Sequence, residues 1–234
     1  MTIRGILFDK DGTLLDYAAT WMPANKHAAL AAAAGDADLA NHLLHLGGYD
    51  PERDTIAGNA ILAAGTTIEI ASAWHPHLPA WDLPALIEAI DTIFQEQGGV
   101  SAVAVPDLAP TLTRLKGRGL KLGVATSDSH GGIEATLGAF DVLGLFDFLA
   151  GYDSGHGTKP APDMVHAFCA AADLPAAEVA MVGDNLHDLI MGRAAGAGLV
   201  VGVLTGTGAH ADLATLADHV VDSIADLEAL LDQG

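Results

Sequence analysis

The chain has 234 residues, half of them hydrophobic, which is enough for one sizeable α/β core with an inserted subdomain or for two modest domains, and too apolar for a disordered chain. Only 10 Lys and Arg stand against 30 Asp and Glu, a formal charge of −20, which argues against nucleic-acid backbones and anionic membranes as partners. Any anionic substrate therefore needs a positive site built locally, from a metal and very few basic side chains.

The N-terminal run Ile3-Arg4-Gly5-Ile6-Leu7 reads as a buried strand. It breaks into Phe8-Asp9-Lys10-Asp11-Gly12-Thr13-Leu14-Leu15, with two carboxylates and a glycine at the strand's end. From about Tyr17 to Val100 the pattern predicts helices over 23–34, 39–46, 51–64 and 83–97, separated by Gly35-Asp36, Gly47-Gly48 and a loop over 75–82. From Pro106 onward strand and helix alternate. Helices are expected over 107–116, 131–140, 162–172, 186–195, 209–216 and 224–231, and strands over 120–125, 146–150, 179–182, 199–203 and 219–221. Alternation at this spacing implies βαβ units and a parallel sheet with helices on both faces. The expected fold is α/β: a Rossmann-like three-layer core from 1–16 and 101–234, and a helical insertion over 17–100. Cys169, the single cysteine, excludes an internal disulfide; it reads as a small buried hydrophobe and points to a reducing compartment. With no signal-peptide pattern and no apolar run long enough to span a bilayer, the expected location is cytoplasmic.

Candidate chemistry sits at strand ends and helix starts. Asp9 and Asp11 lie two residues apart, so on an extended backbone their side chains leave on the same side; an Asp-Gly turn is the plain alternative. Val124-Ala125-Thr126-Ser127-Asp128 ends a buried strand in hydroxyls, which either cap the helix from Gly131 or, with the following amides, hold phosphate oxygens. In Gly157-Thr158-Lys159-Pro160-Ala161-Pro162 a lysine, one of five in the chain, is held before proline in an extended, stiff turn. In Val182-Gly183-Asp184-Asn185-Leu186-His187-Asp188 the first acid ends a strand and the second falls four residues later on the same helix face. Asp184 alone is explained as an N-cap. Beside Asp9 and Asp11 it completes a cluster of hard oxygens of the kind Mg²⁺ prefers, with positions left for water and phosphate.

In this order, DxDGT(L), a hydroxyl after a strand, a lysine and then GDxxxD, the chain resembles the haloacid dehalogenase superfamily of phosphotransferases over nearly its whole length. The run from Pro106-Asp107-Leu108 through Gly123-Val124-Ala125-Thr126 is most similar to the branch of phosphoglycolate-phosphatase-like hydrolases. That branch carries a helical cap inserted after the first strand, in agreement with the insertion over 17–100. The resemblance implies that Asp9 would attack phosphorus as nucleophile, forming an aspartyl-phosphate. Asp11 would protonate the departing alkoxide and then take a proton from the hydrolytic water. Mg²⁺ would be held by the side chains of Asp9 and Asp184 and the backbone carbonyl of Asp11, with Asp188 orienting a metal-bound water or Lys159. Thr126 and the amide of Ser127 would grip the phosphoryl oxygens while Lys159 stabilises their charge. The branch commonly carries asparagine where this chain has Ser127.

Within the superfamily, the acid at Asp11 points to phosphate-ester chemistry, since a hydrolytic dehalogenase does not need it and the phosphoryl-transferring ATPases carry threonine there. A phosphonatase-like reaction needs a cap lysine for a Schiff base. Arg53 cannot lose its proton to serve, which leaves Lys26. A β-phosphoglucomutase-like sugar-phosphate phosphotransferase shares the Asp pair. A non-catalytic metabolite-binding or regulatory module is the alternative outside enzymes, and the complete set Asp9, Asp11, Thr126, Lys159 and Asp184 argues against it. Arg53 is the candidate cap contact for a substrate carboxylate or second phosphate. Trp74-His75-Pro76-His77 with Trp81 reads as packing of the cap's small core. His42 and His45 read as a solvated helix face, and Gly202-Val203-Leu204-Thr205-Gly206-Thr207-Gly208 as a loop near the site without a nucleotide-binding fingerprint. The expected function is a Mg²⁺-dependent phosphatase of a small anionic metabolite, with 2-phosphoglycolate the best single candidate, acting as a monomer or homodimer.

Overall fold

Every residue of β1 (Gly5–Phe8) is apolar or glycine and buried, the pattern of a strand covered on both faces. It lies inside a six-stranded sheet in the computed structural model, which describes residues 2–232. After β1 the chain leaves the sheet for α1 (Tyr17–Ala32), α2 (Ala37–Leu46), the antiparallel pair β2 (Tyr49–Asp50) and β3 (Thr55–Ile56), α3 (Ile61–Ala64), α4 (Thr67–Trp74) and α5 (Leu83–Ser101). It returns through α6 (Leu108–Gly117), β4 (Lys121–Ala125), α7 (His130–Gly138), β5 (Phe148–Ala150), α8 (Asp163–Ala172) and β6 (Val179–Gly183). The last elements are α9 (Leu186–Ala195), β7 (Leu199–Val203), α10 (His210–Leu213), β8 (His219–Val221) and α11 (Leu227–Leu231). Strand order is β5-β4-β1-β6-β7-β8 and every neighbouring pair is parallel, the α/β class that the alternation predicts.

The inserted elements depart from the sequence expectation in instructive ways. The helix expected over 51–64 is broken. Asp50 accepts hydrogen bonds from the amides of Glu52 (2.9 Å) and Arg53 (3.3 Å), and this local turn competes with a helix, leaving only the short α3. The helix expected from residue 23 begins at Tyr17, because Asp16 caps it by accepting from the amide of Ala19 at 2.9 Å. The helix expected to stop at 97 continues to Ser101 through Gly98 and Gly99. Gly98 marks close approach: a Cβ there would lie 3.2 Å from Thr136 and 3.3 Å from Trp21.

Two cores back the sheet. Ile6, Phe8, Val124 and Val182 pack with Leu112, Leu115, Ile133 and Leu137 of α6 and α7, while Leu7 and Met181 pack with Met164 and Phe168 of α8 and Met191 of α9. Cys169 is half-buried beside that second group. The insertion carries a core of its own around Trp21, Leu43, Trp74, Leu86 and Ile90. Its two connections run side by side, since the amide of Asp16 donates to the Val103 carbonyl (2.8 Å) and that of Val105 to the Leu14 carbonyl (3.1 Å). The tryptophans pack this block as expected: Trp74 is fully buried, and Trp81 donates its Nε1 to the carbonyl of Ala32 at 2.9 Å. His42 and His45 are exposed. Among the described residues no helix is long and apolar enough to cross a membrane.

Trp74 also tests whether the insertion's core is tightly packed. Its indole nitrogen has no hydrogen-bond partner, so its contribution comes from packing alone. Trp74→Ala lowers the unfolding free energy by about 3–5 kcal/mol in urea titrations. Trp74→Phe, which leaves most of the volume filled and orphans nothing, costs less than about 1.5 kcal/mol.

Candidate active site

β4, β1 and β6 are adjacent, and the residues that follow them are Thr126, Asp9 and Asp184. Ladder hydrogen bonds continue past the strand ends: the amide of Asp9 donates to Val182 (2.8 Å) and that of Thr126 to Ala150 (3.0 Å). The side chains are thus fixed by the sheet itself, at the carboxyl edge where open α/β sheets gather their ligands. Lys159, in the loop between β5 and α8, places Nζ 2.5 Å from Asp9 Oδ1 and 2.6 Å from Asp188 Oδ1. Asp188 is held by the capping box of α9, accepting from the amide of Asn185 at 3.1 Å. Thr126 donates its hydroxyl to Asp11 Oδ2 at 3.4 Å. Asp9, Asp11, Thr126, Ser127, Lys159, Asp184 and Asp188 all line one cavity between the strand ends and the insertion.

The electrostatics of this cavity are dominated by buried acid. Burial pushes the Asp9 carboxyl up to about 7 against the pull of Lys159, with Asp188 and Asp11 adding repulsion. Burial, then the neighbouring Asp9 and Asp188, also hold Asp184 well above the usual carboxylate range. For Lys159 burial favours the neutral amine, but Asp188 and Asp9 outweigh it and keep the ammonium charged. Asp9, Asp184 and Asp188 each offer an oxygen within 4.8 Å of the others, all buried, and Asp9 Oδ2 has no hydrogen-bond partner. A buried, hard, oxygen-only donor set fits a divalent cation such as Mg²⁺. The geometry thus brings the Asp188 carboxylate, expected to act only as an orienting group, within reach of the same cation.

Other expected contacts fall elsewhere. Arg53 does not line the cavity: its guanidinium is 81% exposed and lies 3.7 Å from Asp50, because the turn that breaks the 51–64 helix carries it to the surface. Lys26 also stays outside, paired with Asp54 at 2.7 Å. The Ser127 hydroxyl is spent on the carbonyl of Ala64 in the insertion (3.0 Å), which leaves its amide for phosphate. The glycine-rich loop lies at the site. Thr207 donates its amide (2.7 Å) and hydroxyl (3.2 Å) to Asp184 Oδ2, and Thr205 donates to the carbonyl of Gly12 at 2.7 Å. Sequence reasoning missed Trp21, whose Nε1 donates to Asp11 Oδ1 at 2.6 Å, together with Lys10 and Asp128, which pair at 2.8 Å. A signal was present: Lys10 places a charge where a buried strand is only just ending. Gly206 tests how closely this loop must approach, since a Cβ there would lie 2.0 Å from Asp184 Oδ2. Gly206→Ala displaces that carboxylate, and steady-state kinetics should show a loss of about 10²-fold at a nearly unchanged melting temperature.

The model of haloacid dehalogenase-like hydrolases matches residues 3–196, a span that includes every acidic and basic side chain of the cavity. The chain is 31% identical over 195 residues to the probable phosphatase IndB of Dickeya dadantii, covering 82% of this chain and 77% of that protein. It is 30% identical over 213 residues to the phosphoglycolate phosphatase of Escherichia coli K12, covering 83% and 79%. Among solved structures, CbbY from Rhodobacter sphaeroides in complex with phosphate aligns with 99% of this chain and 100% of its own, at a TM-score of 0.75 and 23% identity, and so shares the fold. With the family matched over most of its length and relatives named as phosphatases, the chain belongs to the haloacid dehalogenase-like hydrolases, as a phosphatase of the phosphoglycolate-phosphatase-like branch.

Proposed function

We propose that this phosphatase is a Mg²⁺-dependent phosphomonoester hydrolase working through an aspartyl-phosphate on Asp9, with 2-phosphoglycolate the first substrate to test. The observation that carries the reading is the pair of unequal oxygens on Asp9: Oδ1 is held by Lys159 at 2.5 Å, while Oδ2 is buried and unpartnered. An oxygen in that state is oriented and not masked by a donor, as a nucleophile must be. Asp9 Oδ2 bonds to phosphorus as the bond from phosphorus to the alcohol oxygen breaks, and Asp11 gives that oxygen a proton. Asp11 then takes a proton from water as the water attacks phosphorus, which frees Asp9 and releases inorganic phosphate. The Thr126 hydroxyl and the Ser127 amide donate to the phosphoryl oxygens, and Lys159 offsets their charge throughout. Mg²⁺, held by Asp9, Asp184, Asp188 and the carbonyl of Asp11, would supply the positive charge that lets a carboxylate approach a phosphate dianion.

Residues 17–100 serve in this reading as the cap. They present an apolar wall of Trp21, Leu62 and Phe94 that keeps bulk water from the aspartyl-phosphate. The substrate's other end meets Asn25 and Thr67 on the same wall and His187 from α9 across the cavity. His187 keeps a buried, unpartnered Nδ1 and replaces Arg53 as the group to answer a carboxylate.

Phosphate release from a panel of esters with Mg²⁺ decides the reaction. Asp9→Asn abolishes turnover, and Asp11→Asn lowers it by about 10²–10⁴-fold. Isomerised sugar phosphates without released phosphate would instead indicate a mutase, and a weak response to 2-phosphoglycolate would remove that substrate alone. Metal dependence has a readout apart from activity. At about a hundredfold over its dissociation constant, Mg²⁺ stabilises the fold by about 2.7 kcal/mol in thermal melts, a shift that Asp184→Asn loses. Melting curves that ignore Mg²⁺ would sink the metal assignment.

A further inference from the structure

We infer that Lys10 is a positioning residue for Asp11: together with Trp21 it pins Oδ1 of that carboxyl, so that Oδ2 carries the proton exchanged with substrate and water. The inference rests on the acid–base role proposed for Asp11 and adds to it a residue and an atom.

Lys10 is fully buried, yet it does not line the cavity, so it has no path to the substrate's phosphate. Its ammonium donates to Asp128 Oδ2 at 2.8 Å and to the Thr136 hydroxyl at 3.3 Å, and forms an ion pair with Asp11 Oδ1 at 3.0 Å. The acceptors are themselves fixed. Asp128 Oδ1 accepts from the amide of Ser129 at 2.7 Å, and Thr136 donates its own hydrogen to the Gly132 carbonyl at 2.7 Å, which turns its lone pairs toward the lysine. Nζ also lies 4.9 Å from the ring centroid of Trp21, and the Nε1 of that ring donates to the same Asp11 Oδ1 at 2.6 Å.

Asp11 Oδ1 therefore accepts from the indole and forms an ion pair with the ammonium at 3.0 Å, so a hydrogen placed on it would crowd both groups. Oδ2 faces the Thr126 hydroxyl at 3.4 Å, on the side where phosphate is gripped. A lysine that served only to neutralise buried acid could be replaced by an apolar side chain with an even effect on all substrates. A lysine that orients the acid acts selectively, because the need for the proton depends on the leaving group.

The test compares kcat/KM for 4-nitrophenyl phosphate, whose leaving group departs without a proton, with kcat/KM for the best alkyl phosphate, using the full chain with Mg²⁺. Lys10→Met lowers the alkyl value by about 10²-fold and the aryl value far less, as loss of an aligned general acid requires. Trp21→Phe keeps the ring, removes one donor to Oδ1 and gives the same bias at smaller size, which keeps the test decisive if Lys10→Met does not fold. On an Asp11→Asn background Lys10→Met has no further effect, since both act through one group. Equal losses on the two esters, or additive losses in the double variant, overturn the inference while leaving the phosphatase reading intact. A wild-type chain that cleaves neither ester overturns both.

Discussion

Lys159 between Asp9 and Asp188 is the interaction on which the site depends. Its Nζ is 2.5 Å from one carboxylate and 2.6 Å from the other, with Asp184 within reach of the same oxygens. Burial first, and then mutual repulsion that one ammonium does not cancel, hold Asp9 and Asp184 above the usual carboxylate range. Such a cluster takes up protons more readily than free carboxylates do, and a divalent cation is the alternative way to neutralise it. The formal charge of −20 sharpens the point: the chain as a whole repels anions, so positive charge for one must be assembled locally, as Lys159 is.

The sheet converts this electrostatic demand into geometry. Because β4, β1 and β6 are neighbours in parallel register, their successors arrive side by side without any loop having to fold onto the site. The carboxylate of Asp184 is then enclosed by backbone. Gly12 has φ of 91° and Gly206 approaches from the opposite loop, and a Cβ on either would strike Asp184. Small residues there are a consequence of the site's density, in which main-chain amides such as that of Thr207 serve as donors.

How much of this was legible follows from the range of the interactions involved. β7 and α9 matched the expected 199–203 and 186–195, since apolar runs are local signals, although the helix is capped by Asn185 and not by Asp184. The acids, Thr126 and Lys159 were legible because each ends or follows such a run and the resemblance tied them together. The 51–64 segment was not, because its fate turned on one side chain, Asp50, bonding to two amides, a local competitor that helical periodicity does not register. Lys10 and Trp21 were missed for a different reason. Their meaning lies in partners such as Asp128 and Thr136, more than a hundred residues from Lys10, and no spacing rule connects them.

The two buried lysines occupy different places: Lys159 faces the cavity and pairs with Asp9 and Asp188, whereas Lys10 lies outside the cavity lining and pairs with Asp11 and Asp128. The acid's second anchor, Trp21, comes from α1 of the insertion, and the Ser127 hydroxyl beside the phosphate grip bonds to Ala64 of the same block. Position of the insertion and alignment of Asp11 are therefore one variable. If the helical block moves away, Asp9 keeps its sheet-bound place while Asp11 loses a donor. In the reaction proposed above, proton transfer by Asp11 would then be aligned only when the cavity is covered, the state that also excludes bulk water.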